Sequence, residues 1–163
     1  MMRTRATGLA MLFAGAIITP AMAGSWKYEL DHQDHSILTY SDDGKVTFFL
    51  ACGHTFALHV KYPGESKKDG DAAIGIASGK ASMRLKGRFE EPSEDLATTF
   101  EQYDLGYARQ DPRLYEKKWE RLRDRLLDLL DSGRRLSISA GHDSYTLPPI
   151  DAKGWRKALG KCG

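Results

Sequence analysis

The sequence has almost no excess of charge of either sign. It holds 24 basic and 22 acidic residues, a formal net charge of +2, and that excess matches Arg3 and Arg5 near the N-terminus. A dedicated nucleic-acid-binding protein needs a net basic surface, so this balance argues against that class. Internal repeats, a G-x-S-x-G motif and a phosphate-cradling glycine motif are also absent. Catalysis therefore has no support from sequence motifs.

Long apolar runs are confined to the N-terminus. Ala6–Ile18 is uncharged and apolar, and it follows a short basic stretch. At about 13 residues it is shorter than the roughly 20 that a membrane-spanning helix needs. The small residues of Ala21–Ala23 match the A-x-A cleavage pattern of a secretory signal peptide. We predict that residues 1–23 are removed on export. Gly24–Gly163 would then be a single soluble domain, without a membrane span, in the periplasm or outside the cell.

Cysteine is scarce, since the chain has only Cys52 and Cys162. In an oxidising compartment an even pair favours a disulfide. The cross-link would close a loop of about 110 residues and contribute roughly 4.7 kcal/mol in the chain-entropy description. The alternative is a catalytic thiolate at Cys52 with His54 as its base. It is disfavoured because the two residues flank a tight turn. We therefore expect one disulfide, Cys52–Cys162.

Alternating apolar and polar residues predict a series of strands. Trp26, Tyr28 and Leu30 alternate with charged residues, which is the period of a half-buried strand. Asp43-Gly44 supplies the positive φ that a tight hairpin turn requires. The other predicted strands are Ile37–Ser41, Val46–Cys52, Phe56–Val60, Ala73–Ala77, Ala81–Phe89, Phe100–Tyr107, Arg135–Ala140 and Tyr145–Leu147. The expected inward rows of the third and fourth strands are Val46, Phe48, Leu50 and Cys52, then Phe56, Leu58 and Val60.

Two helices are expected late in the chain. Asp111 can cap a helix that starts at Pro112, and Gly133 is a suitable stop, so the spacing predicts a helix over Pro112–Ser132. Its amphipathic stripe is Tyr115, Trp119, Leu122, Leu126 and Leu129. A second, short helix would be capped by Asp151 and would bury Trp155, Leu159 and Cys162.

The order of these elements indicates the fold class. Successive hairpins make antiparallel sheet, and the two helices follow rather than alternate with the strands. We therefore predict an α+β fold, mostly antiparallel β-sheet and sandwich or barrel-like. One long amphipathic helix, one short C-terminal helix and one disulfide would complete it.

Histidines form the first candidate site. His32 and His35 lie in a carboxylate-rich segment, and His54 and His142 fall in predicted turns. Imidazole and carboxylate groups at neighbouring strand ends can chelate zinc or copper, although this spacing is not that of a known metal motif. A set of surface histidines in polar turns is the simpler interpretation.

A cationic row is the second candidate. Arg84, Lys86 and Arg88 share one face of a predicted strand, where they could bind an anionic sugar, a lipid head group or an acidic protein. The alternative is a solvated sheet face that discourages aggregation, because acidic residues follow directly. His142-Asp143-Ser144 contains the residue types of a hydrolytic triad. Consecutive side chains diverge along a hairpin, however, so they cannot form one.

The end of the chain has a family resemblance. It combines the strand Leu136–Ser139, a turn, the strand Tyr145–Leu147 and the helix-like Trp155–Cys162. This layout resembles the close of small exported proteobacterial proteins such as the invasion-associated locus B family. The resemblance implies an envelope-associated protein without known catalytic residues.

These observations lead to one function and two alternatives. We expect a non-enzymatic envelope or periplasmic protein that serves as a binding or structural module for a protein or surface ligand, without a cofactor. A secreted hydrolase inhibitor is one alternative, presenting a loop at Tyr62–Asp71 or Glu90–Leu96. A metal-binding periplasmic protein that uses the turn histidines is the other.

Overall fold

A computed structural model describes residues 24–52, 56–65, 70–89, 100–102 and 112–161. The strands are β1 (Ser25–Leu30), β2 (Ser36–Asp42), β3 (Lys45–Cys52), β4 (Phe56–Val60), β5 (Asp71–Ser78), β6 (Ala81–Phe89), β7 (Phe100–Gln102), β8 (Leu136–Ala140) and β9 (Asp143–Leu147). The helices are α1 (Pro112–Leu130) and α2 (Trp155–Leu159). The strands make up most of this architecture.

The described strands form one hydrogen-bonded array in the order β1-β2-β3-β4-β7-β6-β5-β8-β9. Every neighbouring pair is antiparallel. The prediction of a mostly antiparallel sheet is therefore confirmed. The short strand β7 joins two groups of four strands, β1–β4 on one side and β5, β6, β8 and β9 on the other.

One face of the array carries the core. Cross-strand register aligns Leu38 with Leu50 and Leu50 with Leu58 in the first group. In the second group it aligns Ile76 with both Met83 and Ile138. All of these side chains are buried. Because strand side chains alternate between faces, a period-two sequence places its apolar set on one side of the sheet.

The inward row of β3 departs from the prediction at its start. A β-bulge follows Tyr40 on β2, so that Tyr40 pairs with Phe48 but the next residue, Ser41, pairs with Val46. Thr47 is the extra residue, and it is buried while Val46 is only half-buried. Val46 therefore does not continue the inward row that Phe48, Leu50 and Cys52 form. A bulge of this kind has no clear sequence signal.

The two outer strands of the array, β1 and β9, come close to each other. Trp26 on β1 donates its indole N–H to the carbonyl oxygen of Pro148, just after β9, at 3.1 Å. The hydroxyl of Tyr145 on β9 donates to the carbonyl oxygen of Lys61, just after β4, at 2.7 Å. Since β9 is five strands from β4 in the array, the sheet must curve back on itself.

Helix α1 covers the second group of strands. Its C-terminal half buries Leu126, Leu127, Leu129 and Leu130, and it packs against β5 and β6. The helix ends before Gly133, whose φ of 67° fits the predicted stop. The predicted cap Asp111 lies outside the described residues.

Helix α2 packs against β2 and buries Trp155 and Leu159, as predicted. The predicted cap is wrong. The residue before the helix is Gly154, and no side chain caps the N-terminus. Arg156 joins the two helices through an ion pair with Asp128 at 2.9 Å.

Only one of the two cysteines of the predicted disulfide, Cys52, is among the described residues. Cys52 is 6% exposed at the end of β3, and the described residues include no free cysteine. Cys162 lies outside the described residues. The Cys52–Cys162 disulfide therefore stays a prediction.

Two leucines test the assignment of the core. Leu50 is fully buried in β3, whereas Leu30 is 57% exposed at the end of β1. Leu50→Ala should lower the free energy of unfolding by about 2–5 kcal/mol through lost burial and a residual cavity. The matched change Leu30→Ala should alter it by less than about 1 kcal/mol. Urea unfolding of both variants measures the difference, and equal losses would contradict the inward face assigned to β3.

Candidate functional site

A cleft of about 400 Å³ opens where the curved sheet approaches itself. Polar groups from several strands converge there beside aromatic rings, and such convergence in a concave surface makes it the candidate ligand site. Its lining residues are Tyr40, Asp42, Thr47, Lys61, Tyr62, Pro63, Gly64, Asp143, Ser144, Tyr145, Thr146 and Leu147. They come from β2, β3 and β9 and from the segment after β4. The cleft is therefore built from parts of the chain that are distant in sequence.

Strand direction explains why these residues meet. β2 ends at Asp42, β4 ends just before Lys61, and β9 begins at Asp143. Following the antiparallel pairing from strand to strand puts all three of these positions at the same end of the sheet. The curvature then brings β9 beside the segment after β4. The cleft is thus a consequence of topology rather than of any local motif.

The bulge at Thr47 shapes the floor of the cleft. The hydroxyl of Thr47 donates to the carbonyl oxygen of Tyr40 at 3.4 Å, across the irregular pair of strands. Bulges of this kind often lie beside functional sites, because they redirect a side chain. Both residues are only 7% exposed, and both line the cleft.

The hydroxyl of Tyr40 stands out among the lining groups. It makes no hydrogen bond to a side chain or backbone group of the described residues, although Tyr40 is buried against the ring of Trp26. Burial and the neighbouring carboxylate of Asp42 raise the pKa of Tyr40. The ring accounts for most of the burial of Tyr40, whereas its hydroxyl lies at the cleft wall and is open to solvent or a ligand. A hydroxyl in this position can donate one hydrogen bond and accept another.

The opposite wall of the cleft is held in a fixed geometry. Tyr145 fastens β9 to the segment after β4 through its bond to Lys61, and burial raises the pKa of its hydroxyl. Gly64 has a φ of 81°, and a Cβ there would collide with the carboxylate of Asp143. The positive φ favours glycine here, and a side chain would also require the carboxylate of Asp143 to move.

The lining combines acceptors and donors. Asp42 and Asp143 supply two exposed carboxylates, Lys61 supplies one ammonium, and Ser144 and Thr146 supply hydroxyls. An ammonium and two carboxylates leave a local charge of −1, which disfavours anionic ligands. The rings of Tyr62 and Tyr145 add apolar surface. The cleft therefore suits a ligand that is polar, uncharged or cationic, and rich in hydrogen-bonding groups.

The predicted cationic row is present but is not uniform. Arg84, Lys86 and Arg88 are exposed on β6 and point to one side, as the alternation predicts. Register places Arg88 opposite Asp71 on β5 and opposite Glu101 on β7. Lys86 and Arg84 instead face Ala73 and Gly75. This row lies away from the cleft, since none of its members lines it.

The predicted histidine site does not assemble in the part of the chain that the structure describes. No group of three or more His, Cys, Asp or Glu residues there could hold a metal ion. His32 and His35 lie in the turn after β1, and His142 lies in the turn after β8, at the opposite end of the sheet. His54 lies outside the described residues.

The carboxylate-rich segment before β2 has a structural role. Asp31 accepts hydrogen bonds from the backbone N–H groups of Gln33 and His35 at 2.8 and 2.9 Å, which close a tight turn. Nδ1 of His35 also lies 3.0 Å from Asp31 Oδ2. The hydrogen bond from the His35 backbone is the main cause that lowers the pKa of Asp31. This part of the histidine pattern is thus explained by turn formation.

Sequence reasoning missed the residues of the cleft. Asp42 is not among the candidate residues, Asp143 and Ser144 enter only through the rejected triad, and Tyr62 enters only as the start of the inhibitor loop Tyr62–Asp71. The loops considered for a hydrolase inhibitor lie wholly or partly outside the described residues, which lack 66–69 and 90–99. No signal in one sequence predicts that β9 returns to β4, because the contact depends on how the sheet curves.

Comparison of the chain with protein-family models, curated proteins and solved structures finds no match. The resemblance of the C-terminal layout to the invasion-associated locus B family therefore stays a prediction. Within the described ranges, no helix combines the length and apolar character needed to cross a bilayer.

The alkaline stability of the protein should depend on Tyr145. A hydroxyl whose pKa is raised by folding stabilises the protein at pH values below its unfolded-state pKa of about 10. That contribution is lost as the pH rises above about 10, because only the unfolded chain then ionises freely. We expect the free energy of unfolding to fall between about pH 10 and 12, and to fall less in Tyr145→Phe. Urea unfolding across this range measures both slopes, and identical slopes would contradict the assignment.

Proposed function

We propose that this chain is an exported, non-enzymatic envelope protein that binds a hydroxyl-rich surface ligand, such as a sugar unit of an envelope glycan, in the cleft. The observation that carries the proposal is the convergence of Tyr40, Asp42, Lys61 and Asp143 at one end of the sheet. The signal-peptide pattern of residues 1–23 supports export. The cleft supports a binding role.

The chemistry of the lining favours a sugar over other small molecules. Each sugar hydroxyl both donates and accepts, and the cleft offers carboxylate acceptors beside ammonium and hydroxyl donors. Hydrogen bonds to a charged group contribute more than neutral ones, about 1.5–3 kcal/mol each. The ring of Tyr62 adds an apolar surface for the carbon face of a sugar. An anionic ligand would meet two carboxylates, and a purely apolar one would leave the polar groups without partners.

Two carboxylates in a cleft also occur in glycoside hydrolases, where one of them must stay protonated to act as an acid. That state requires apolar surroundings that exclude water. Asp42 and Asp143 are both exposed, which favours a binding role over a hydrolytic one. Incubation with a bound glycan should release no new reducing ends, whereas their release would overturn the non-enzymatic assignment.

Carboxylate removal tests the binding proposal. Titration of the mature protein with soluble, neutral glycan fragments from bacterial envelopes, followed by NMR, should shift the tyrosine ring signals of the cleft. Asp143→Asn should weaken binding roughly tenfold, because it replaces a charged acceptor by a neutral one. The control Asp151→Asn removes the same charge from an exposed residue that does not line the cleft, and it should bind as the unaltered protein does.

A second pair of substitutions separates the cleft from the cationic row. Arg84→Ser with Lys86→Ser should leave the affinity for neutral glycans unchanged, because neither residue lines the cleft. Loss of binding in that variant, with retention in Asp143→Asn, would place the ligand on β6 and contradict the proposal.

We also propose the disulfide Cys52–Cys162 as part of the exported protein. Burial of Cys52 and an oxidising compartment support it. Thiol titration of the denatured, unreduced protein should find almost no free thiol. Reduction should lower the free energy of unfolding by roughly 4–5 kcal/mol, the chain-entropy value for a loop of about 110 residues. Two free thiols per chain would contradict the cross-link.

A further inference from the structure

We propose that signal-peptide removal completes the surroundings of the cleft: the α-ammonium group released at Gly24 becomes a hydrogen-bonding partner of the Tyr40 hydroxyl. The inference rests on the proposed export and deepens the proposed binding site, because it makes that site dependent on maturation. Gly24 directly precedes β1.

Gly24 is packed tightly against Tyr40, whose hydroxyl makes no hydrogen bond within the described ranges of the chain. A Cβ at Gly24 would lie 2.5 Å from Tyr40 Oη, and it would also collide with the carbonyl oxygen of Ser41. Both of these oxygens can accept hydrogen bonds. The nitrogen of Gly24 is one bond from the same Cα. Rotation of the free terminal residue would let a charged donor at that nitrogen reach one or both of these oxygens.

Strand register adds a carboxylate. The register of β1 with β2 ends at Ser25 opposite Ser41, and continuing it by one residue would place Gly24 opposite Asp42. Asp42 also lines the cleft, as Tyr40 does. An ammonium group here would pair with the carboxylate of Asp42 and bring the charge of the lining from −1 to 0, which still suits a neutral, hydroxyl-rich ligand. In the uncut chain the same nitrogen is a neutral amide with only one hydrogen.

The chemistry of the step is amide hydrolysis by the signal peptidase of the exporting cell. Water adds to the carbonyl carbon of Ala23, the bond from that carbon to the Gly24 nitrogen breaks, and Ala23 keeps the water oxygen as a carboxylate. The Gly24 nitrogen leaves as an amine, which is protonated at neutral pH because an α-amino group has a pKa near 8. Compared with the amide N–H of the uncut chain, the ammonium group has two more hydrogens and a positive charge.

In this arrangement the hydroxyl of Tyr40 can bond to the N-terminal ammonium and to a ligand at the same time. A phenolic oxygen accepts one hydrogen bond while its O–H donates another. When the ammonium of Gly24 donates to Tyr40 Oη, the hydroxyl hydrogen is left to point into the cleft. The requirement for glycine also follows, because any side chain at position 24 would occupy the space between the two strands.

Two chains released from a cleavable fusion test the inference. One begins at Gly24, and the other carries two additional serines, which keep an ammonium but move it two residues away. The chain that begins at Gly24 should unfold at a temperature higher by roughly 4–10 °C, as expected for charged hydrogen bonds in a domain of this size. Equal unfolding temperatures would overturn the inference.

Matched substitutions identify the acceptors. Tyr40→Phe and Asp42→Asn should each remove much of the difference between the two chains. Asp43→Asn changes the same charge one residue away, at a φ of 49° that asparagine also adopts, and it should leave the difference intact. A difference that survives in both Tyr40→Phe and Asp42→Asn would overturn the assigned contacts.

The position of the N-terminus and the binding of a glycan can be tested independently of each other. The full chain, expressed in an exporting bacterium, should be recovered with the mass of Gly24–Gly163. Another first residue would overturn this inference while leaving glycan binding to the cleft unaffected. A temperature difference without any glycan binding would instead support the inference and contradict only the proposed ligand.

Discussion

The hydrogen bond from Trp26 to Pro148 is the constraint on which the rest of the structure depends. It joins the first strand to the segment after the last one, at 3.1 Å. The indole ring also packs against Tyr40 and Phe48, with ring centroids 5.1 and 5.3 Å apart. One side chain therefore fixes the curvature of the sheet and fills the core beneath it. A buried indole N–H needs a partner, and here the partner closes the array.

The cleft exists because this closure is incomplete. The sheet returns to itself through side-chain contacts at Trp26 and Tyr145, and among the described residues no backbone ladder joins β1 to β9. The cleft lies between β9 on one side and β2, β3 and the segment after β4 on the other. The bulge at Thr47 and the tight approach of Gly64 to Asp143 shape it. The lining groups meet because of where their strands lie in the sheet, and less because of their residue types.

Local patterns predicted much of the fold and little of the site. Period-two alternation located the strands, and β6 begins and ends at the predicted residues. The stop at Gly133 followed from the need for positive φ after a helix. The cap at Asp151 failed because the chain enters α2 through Gly154 instead. The cleft could not be foreseen, because contacts such as Tyr145 with Lys61 depend on the curvature of the whole sheet.

The return of the sheet onto itself also affects its outer edges. On β1, one of the two outer strands, Lys27 and Glu29 form an ion pair. An open sheet edge presents unpaired backbone groups to which another chain can add as a further strand. Here the two outer strands of the described array lie near each other, because Trp26 on β1 bonds to Pro148 just after β9. Charged side chains on β1 make the remaining edge a poor template for an incoming strand. The contact that closes the sheet therefore also limits how much open edge the described array presents.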